Sequence, residues 1–331
     1  MRISVIGAGG WGTAFARLLA LSGHEVILRV RDPGRAAEID RLRENQRYLP
    51  GVILPQEGLR ITDSLSAAAA SDIIALAVPS FAMSDLLGEV KAQVGGEGKV
   101  FVNLAKGIDR GSGKTMSELI ERQVAPRAVF TLSGPSHAEE VGRDIPTAIV
   151  LAGEDLALGE RLQVALSTPR FRVYLSEDIR GVELCATVKN IIALATGVSD
   201  GLGYGDNSRG ALITRGLAEM VRFGRVFGVK EKTFFGLSGL GDLVATCTSE
   251  YSRNRRVGHR LGQGECLAEI LAGMPMVAEG IYATTIVYEI ASEQGVEMPI
   301  TDAVYRLLHE GADPLALVEE IMTRAPKQEG G

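Results

Sequence analysis

The sequence has few of the features that mark secreted or metal-binding proteins. Its 331 residues include three cysteines and four histidines, with no C-x-x-C pair and no histidines at metal-ligand spacing. We therefore expect reduced thiols and no bound metal. The first residues lack the apolar segment and small-residue cleavage site of a signal peptide, so we expect a cytoplasmic protein.

Long hydrophobic runs and an excess of positive charge are also lacking. The apolar stretch 191–198 is far shorter than the roughly 20 residues that a membrane-spanning helix needs, so we expect no membrane span. Acidic residues outnumber basic ones by 41 to 35, which gives a net charge of −6. Nucleic acids and anionic membranes reward a clustered positive surface, so neither is the expected partner. An anionic small molecule can still bind where cations are concentrated locally.

The composition predicts a folded protein of two domains. A hydrophobic content of 46% with 23% charged residues is typical of globular proteins. The length exceeds what a single hydrophobic core usually supports, so a second domain is expected.

Short apolar runs rich in β-branched residues alternate with amphipathic stretches in the first half of the chain. This alternation is typical of βαβ units, and predicts a Rossmann-type, doubly wound parallel sheet with helices on both faces. The predicted strands are 3–6, 25–30, 72–78, 100–104, 129–132, 148–151 and 171–174, and the predicted helices are 13–21, 81–94 and 116–122. Residues 31–55 are expected to form a helix and an irregular loop on the cofactor side.

From about residue 180 onwards the pattern predicts helices. The stretches 182–195, 212–227 and 303–322 have helical periodicity, and strand signals nearly vanish. We therefore predict a dinucleotide-binding domain over residues 1–180 and an all-α substrate and catalytic domain over residues 181–331.

A glycine-rich segment follows the first predicted strand and opens the first predicted helix. Gly7, Gly9 and Gly12 match the G-x-G-x-x-G pattern of dinucleotide-binding proteins, and this placement makes the match much more specific than the bare pattern. Gly7 would allow a tight turn, Gly9 a close approach of the pyrophosphate, and Gly12 close packing of helix on strand. Gly10 and Trp11 would then lie against the phosphates. The alternative is a glycine-rich turn that binds no ligand.

The cofactor's ribose is expected to meet the end of the second strand. Arg31 and Asp32 stand at the position that distinguishes a 2′-hydroxyl from a 2′-phosphate. Asp32 could bind the hydroxyl of NAD and Arg31 the phosphate of NADP, so both cofactors stay open, with Arg31 favouring NADP. The alternative is a solvated pair that starts a turn before Pro33.

A second glycine-rich segment, 107–115, resembles a nucleoside-triphosphate-binding loop. Its closing Gly113-Lys114-Thr115 requires a glycine at position 108, where Ile108 stands. Because the backbone cradle for phosphates depends on loop length, we expect an exposed loop here instead.

Five further motifs, together with the glycine fingerprint, extend in order along almost the whole chain. They read N-L-A-K-G at 103–107, S-G-P-S-H-A at 133–138, G-V-E-L-C-A-T-V-K-N at 181–190, G-L-G-D-L at 239–243 and S-R-N-R-R at 252–256. This series closely resembles the bacterial NAD(P)-dependent glycerol-3-phosphate dehydrogenases. The resemblance implies interconversion of glycerol 3-phosphate and dihydroxyacetone phosphate, a homodimer, and a supply of glycerol 3-phosphate for phospholipid synthesis.

The resemblance also implies roles for individual residues, with Lys189 as the proton acceptor. The positions that match substrate-binding residues are Lys106, Gly134, Ser136, Lys189, Asp242, Ser252, Arg253 and Asn254. Those that match cofactor-binding residues are Gly7, Gly9, Gly10, Trp11, Gly12, Arg31, Lys106, Ala138, Arg253, Val277 and Glu279.

The residue types suit this chemistry. Oxidation of a secondary alcohol requires a group that takes the hydroxyl proton while hydride leaves to the nicotinamide. Lys189 lies in an apolar helical stretch, where desolvation and a second cation, Lys106, are expected to lower its pKa. Asp242 could orient a lysine or accept a substrate hydroxyl, and Arg253 offers a planar donor fork for phosphate.

Two alternatives remain open from the residues themselves. Lys189 could be a lysine at a helix edge whose amino group extends to solvent. The whole chain could be a non-catalytic NAD(P)-sensing protein, or a reductase of another phosphorylated alcohol.

Overall fold

The computed structural model describes residues 1–274, 278–325 and 328. The chain forms two compact units. The first contains Met1–Ala186 and Val229–Asp242, and the second contains Thr187–Gly228 and Leu243–Gly331.

The first unit is built on an eight-stranded sheet of order β3-β2-β1-β4-β5-β6-β7-β8. The strands are β1 Arg2–Ile6, β2 Glu25–Arg29, β3 Leu59–Thr62, β4 Ile73–Leu76, β5 Val100–Asn103, β6 Ala128–Ser133, β7 Thr147–Gly153 and β8 Phe171–Ser176. All neighbouring strands are parallel except β6 and β7, which are antiparallel. The predicted parallel sheet is thus confirmed, with this pair as its one antiparallel exception.

Helices cover both faces of the sheet, as predicted. They are α1 Gly10–Leu21, α2 Pro33–Leu42, α3 Met83–Gln93, α4 Met116–Val124, α5 Ala138–Gly142 and α6 Leu156–Leu166. Alternate residues of β1 enter different cores, because successive side chains of a strand point to opposite faces. Val5 packs with Phe15 of α1 in one core, and Ile6 packs with Met83 of α3 in the other. These two cores confirm the doubly wound class.

Helix α7, Ile179–Gly201, begins in the first unit and continues into the second. The helices that follow are α8 Asp206–Val226, α9 Glu231–Phe234, α10 Asp242–Thr248, α11 Arg253–Gly262, α12 Leu267–Ala272, α13 Glu279–Glu293, α14 Pro299–His309 and α15 Pro314–Met322. The C-terminal part of the chain is helical, as predicted. The stretch 303–322 is not one run, because Gly311 takes φ +67° and Asp313 caps a new helix that starts with Pro314.

Helix α7 is longer than its most apolar stretch, and by length and composition alone it could cross a membrane. Within its most apolar window, 94% of the residues are buried inside the protein. This is the pattern of a core helix rather than of one facing lipid.

Within the second unit, α7 and α11 approach each other through glycines. A Cβ on Gly197 would lie 2.1 Å from the Arg255 carbonyl oxygen, and one on Gly258 would lie 2.0 Å from the Leu194 carbonyl oxygen. Since no Cβ fits at these distances, the two backbones pack directly against each other. This contact fixes the first turn of α11 relative to the middle of α7.

Candidate functional site

The turn between β1 and α1 requires its first and last glycines for packing. Gly7 has φ +114°, and a Cβ there would lie 2.4 Å from the Ala77 carbonyl oxygen. A Cβ on Gly12 would lie 2.0 Å from the Gly7 carbonyl oxygen. These positions therefore accept only glycine, for the reasons that the fingerprint predicts.

In the middle of the turn, Gly9 faces open space instead of neighbouring backbone. Gly9 caps α1, and a Cβ there would meet nothing within 4 Å. The first turn of α1 has no acidic residue, and the first N–H groups of a helix have no partner within it. The turn thus presents backbone donors and the positive end of a helix to open space, which fits a dinucleotide pyrophosphate.

Gly10 and Trp11 pack against protein. A Cβ on Gly10 would lie 2.8 Å from the Tyr48 carbonyl oxygen and 3.3 Å from the Ala138 Cβ. The Trp11 ring stacks on Phe15 at 5.7 Å between centroids. The structure thus places Ala138, at the start of α5, beside the glycine turn.

The segment after β2 is where the sequence analysis expects the cofactor's ribose. Arg31 and Asp32 are exposed, but the Asp32 carboxylate accepts a hydrogen bond from the Arg35 backbone N–H at 2.7 Å and caps α2. Asn45, which the sequence analysis missed, donates to the Ala8 carbonyl at 3.0 Å and ties the loop after α2 to the glycine turn.

Lys106 and Asp242 lie far apart in sequence but form an ion pair in the first unit. Lys106 Nζ donates to Asp242 Oδ2 at 2.9 Å, and only 3% of the Asp242 side chain is exposed against 25% of that of Lys106. Of the two roles that the sequence analysis gave Asp242, the structure shows the one in which it orients a lysine.

A π-helical turn, Leu237–Gly241, leads directly into Asp242. It depends on Gly239, where a Cβ would lie 2.1 Å from the Phe234 carbonyl oxygen. Such turns are frequent at functional sites, because the extra residue changes the direction of the side chains that follow. The glycine motif at 239–243 is thereby explained in part by packing.

Gly134 and Ser136 follow β6. Gly134 has φ +152°, and Ser136 Oγ donates to the Gly134 carbonyl oxygen at 3.0 Å. A Cβ on Gly134 would lie 3.2 Å from Ile149 Cα, so β7 limits this position to a small residue.

Glu183, at the start of α7, is a buried carboxylate that the sequence analysis did not single out. It accepts hydrogen bonds from Asn103 Nδ2 at 2.8 Å, Ser117 Oγ at 2.6 Å and Thr131 Oγ1 at 2.8 Å. Burial raises the pKa of this carboxyl, while hydrogen bonds from Ser117 and its neighbours act in the opposite direction. The contacts fix α7 to the ends of β5 and β6, six residues before Lys189.

Lys189 is 3% exposed, in the interior of α7. Its Nζ donates to Thr246 Oγ1 of α10 at 2.6 Å, and both residues are buried in the second unit. The alternative of a lysine extending to solvent is therefore wrong. Sequence analysis missed Thr246, although it stands four residues after Asp242, one helical turn further along α10.

The motif at 252–256 opens α11. Ser252 caps the helix by accepting from the Arg255 N–H, and Asn254 donates to Asn190 Oδ1 at 2.9 Å. Asn254 Oδ1 also accepts from the Gly280 N–H at 2.9 Å. Asn254 is thereby fixed beside the residue that follows Lys189.

The remaining arginines of this motif, and the two late residues predicted to contact the cofactor, lie in different surroundings. Arg253 is exposed, whereas Arg255 pairs with Asp200 Oδ2 at 2.7 Å. Glu279 begins α13. Val277 lies outside the residues that the structure describes.

In the loop that resembles a triphosphate-binding site, polar side chains form hydrogen bonds with other residues of the loop and of the helix that follows. Ser112 donates to Asp109 Oδ2 through both its N–H, at 2.9 Å, and its hydroxyl, at 2.6 Å. Thr115 forms a capping box with Glu118 at the start of α4. Its polar groups thus stabilise the loop and the helix that follows.

Comparison with known proteins identifies the family. The family model for the N-terminus of NAD-dependent glycerol-3-phosphate dehydrogenase matches residues 2–158, and the model for its C-terminus matches residues 178–319. The chain belongs to this family.

Its relatives match over almost their whole length. The glycerol-3-phosphate dehydrogenase [NAD(P)+] of Nitratidesulfovibrio vulgaris is 49% identical and that of Prosthecochloris aestuarii 47%, each alignment covering 99% of this chain and 100% of the relative. The crystal structure of the Coxiella burnetii glycerol-3-phosphate dehydrogenase superposes with a TM-score of 0.93 at 41% identity, covering 98% of this chain and 99% of that one. The resemblance in the sequence motifs is thus confirmed, and with it a nicotinamide cofactor, NAD or NADP.

Proposed function

We propose that this protein interconverts glycerol 3-phosphate and dihydroxyacetone phosphate with NAD(P)(H), and that it supplies glycerol 3-phosphate for phospholipid synthesis. The observation that carries the proposal is the buried Lys189, hydrogen-bonded to Thr246, in a chain that matches the dehydrogenase family from end to end.

In this proposal the glycine turn would hold the pyrophosphate of the dinucleotide, whose nicotinamide would supply the hydride for reduction and accept it in oxidation. The shape of the turn at Gly9 and the closeness of Ala138 to Gly10 support this. The proposed cofactor-binding residues are Gly7, Gly9, Gly10, Trp11, Gly12, Arg31, Lys106, Ala138, Arg253, Val277 and Glu279. The proposed dinucleotide-binding domain is residues 1–180 and the proposed substrate domain residues 181–331, with segment 229–242 packed in the first unit.

Lys189 is the proposed general acid and base. In the reductive direction its ammonium group gives a proton to the carbonyl oxygen at carbon 2 of dihydroxyacetone phosphate, and in the oxidative direction the amine takes the hydroxyl proton back. The Thr246 hydroxyl accepts one N–H of Lys189 and so fixes the direction of the amino group. Burial keeps water away from this group, which strengthens its electrostatic effect on the developing alkoxide.

Substrate is proposed to contact Lys106, Gly134, Ser136, Lys189, Asp242, Ser252, Arg253 and Asn254. The exposed guanidinium of Arg253 suits a phosphate, because it can donate two parallel hydrogen bonds. The ion pair with Asp242 holds Lys106 in one orientation while leaving other N–H groups of the ammonium to a ligand. We further propose a cytoplasmic homodimer.

The direct test follows the absorbance of the reduced nicotinamide with the purified protein and dihydroxyacetone phosphate. We expect oxidation of NADPH or NADH that depends on this substrate. Cofactor binding without turnover would favour the non-catalytic sensor, and turnover only with a different phosphorylated ketone would favour another reductase. Either result would contradict the proposed activity.

A further inference from the structure

The stretch that carries Lys106 follows β5, and its residues 104–106 lie in no helix or strand. Ala105 is buried, so its backbone polar groups need partners inside the protein. Both bond to the side chain of Asn103, whose Oδ1 accepts from the Ala105 N–H at 2.9 Å and whose Nδ2 donates to the Ala105 carbonyl oxygen at 3.2 Å. One amide thus holds the residue before Lys106 at two points.

The direction of the Asn103 amide is set by Glu183. Asn103 is fully buried, and its Nδ2 donates to Glu183 Oε1 at 2.8 Å. The same oxygen accepts from the backbone N–H of Ser117 at 3.0 Å, and because that hydrogen cannot rotate, Oε1 must be an acceptor. The amide therefore turns its N–H groups toward Glu183, which leaves its oxygen for the Ala105 N–H.

Glu183 is itself held from two further elements. Ser117 Oγ in the first turn of α4 donates to Oε2 at 2.6 Å, and Thr131 Oγ1 on β6 donates to Oε1 at 2.8 Å. In a buried network of this kind, a group that moves loses a partner that water cannot replace. The Asn103 amide is thereby restricted to one orientation.

The partner of Lys106 is held separately, near the start of α7. Asp178 Oδ2 accepts from Thr233 Oγ1 at 2.5 Å, and Thr233 belongs to segment 229–242, which ends at Asp242. Asp242 is therefore held independently of the amide. The distance of 2.9 Å between Lys106 Nζ and Asp242 Oδ2 then depends on where the backbone before Lys106 lies.

We propose that Asn103 is a positioning residue for the reaction. Oriented by Glu183, its amide fixes the backbone at Ala105. This backbone directs the ammonium group of Lys106 toward Asp242 and the substrate. The proposal rests on the proposed function in that Lys106 contacts the substrate, whereas the pairing of Lys106 with Asp242 does not depend on that function.

The first test asks whether Asn103 acts through Lys106. N103A removes the amide, and kcat/KM for dihydroxyacetone phosphate should fall about tenfold to a hundredfold, because small displacements of a contact group have effects of this size. In the K106M background, where no ammonium group is left to position, N103A should change kcat/KM by less than about threefold. A role in folding alone would lower the activity by the same factor in both backgrounds.

The second test needs no turnover. The coupling between K106M and D242N, measured from unfolding in a double-mutant cycle, should fall to less than about half its wild-type size when N103A is also present. N103S is measured beside N103A. Its hydroxyl leaves fewer buried groups without a partner but is too short to reach both Ala105 and Glu183. It should therefore show the same loss of coupling with a smaller loss of stability.

The matched control is S117A. It removes a hydrogen bond to the same carboxylate but leaves the bond between Glu183 and Asn103 in place. We expect S117A to lower the unfolding midpoint, while kcat/KM and the coupling of Lys106 with Asp242 stay within about twofold of the wild-type values.

A loss of kcat/KM in N103A that persists undiminished in the K106M background would overturn the proposal. So would a coupling between Lys106 and Asp242 that is absent from the wild type or unchanged in N103A and N103S. If the wild type does not reduce dihydroxyacetone phosphate, the proposed function fails, and the unfolding cycle alone then decides whether Asn103 positions Lys106.

Discussion

Lys189 and Thr246 form a buried hydrogen bond of 2.6 Å between α7 and α10. The two residues are 57 positions apart, so no local sequence pattern predicts that they form this bond. The bond gives a buried ammonium group a fixed direction. A general acid needs this, because proton transfer depends on alignment with the reacting oxygen.

Replacing Thr246 with valine should slow turnover more than it weakens substrate binding. Valine keeps the shape of the side chain but removes the oxygen that accepts from Lys189. A hydrogen bond to a charged group contributes about 1.5–3 kcal/mol, so kcat should fall by roughly tenfold to a hundredfold. T246S keeps the hydroxyl and should retain most of the activity. Equal activity of the two variants would show that Thr246 has no positioning role.

The ion pair between Lys106 and Asp242 should be measurable as a coupling energy. Unfolding free energies of K106M, D242N and the double variant form a double-mutant cycle. Because Asp242 is almost fully buried and Lys106 partly so, we expect a coupling of about 1–2 kcal/mol. Additive effects of the two substitutions would mean that the pair does not stabilise the fold.

The close approach of α7 and α11 should make Gly258 irreplaceable. In G258A the new Cβ would meet the Leu194 carbonyl oxygen, a backbone atom that cannot move away cheaply, so the helices must separate. We expect a loss of at least about 2 kcal/mol in the free energy of unfolding. The matched control is G88A in α3, where a Cβ meets nothing within 4 Å. It should be neutral or stabilising by up to about 1 kcal/mol.

Helix α14 begins at a carboxylate supplied by α8. Glu219 accepts from the N–H of Ile300 at 2.6 Å and from the N–H of Thr301 at 3.2 Å. Burial raises the pKa of Glu219 to about 7, although these hydrogen bonds act in the opposite direction. The folded protein therefore binds a proton that the unfolded chain has already released between about pH 4.5 and pH 7.

The contribution of Glu219 to stability is therefore fully present below about pH 4.5 and is lost as the pH rises through about 7. Wild type and E219Q should differ progressively between about pH 4.5 and pH 7.5, with the wild type losing up to about 3 kcal/mol relative to the variant over that range. Unfolding midpoints at several pH values measure this. The control E289Q changes an exposed carboxylate of α13 and should follow the wild type at every pH. A constant difference between wild type and E219Q would contradict the prediction.

The sequence predicted features that depend on local spacing. The glycine turn, the alternation of strands and helices, and the helical C-terminal part follow from patterns within about 20 residues. The edge strand β3 was missed because only two of its four residues, Leu59 and Ile61, are apolar and it follows an irregular loop. The antiparallel β7 was not foreseen, because residue alternation carries no information about strand direction.

Several site features depend on contacts between distant segments, which periodicity cannot reveal. Glu183 could be found only through its partners on β5, α4 and β6, and Thr246 only through Lys189. The pairing of Lys106 with Asp242 depends on segment 229–242, which joins the first unit although it lies far along the chain. The family motifs marked many of these positions without giving their geometry.

The most direct test of this account is the activity of K189A. General acid and base catalysis typically contributes 10²-fold to 10⁴-fold, so kcat with dihydroxyacetone phosphate should fall by at least about a hundredfold. The affinity for NADPH, measured by titration, should stay within about threefold of the wild-type value, because Lys189 is not a proposed cofactor contact. A variant that keeps more than about a tenth of the wild-type kcat would contradict the assignment of Lys189 as the acid and base.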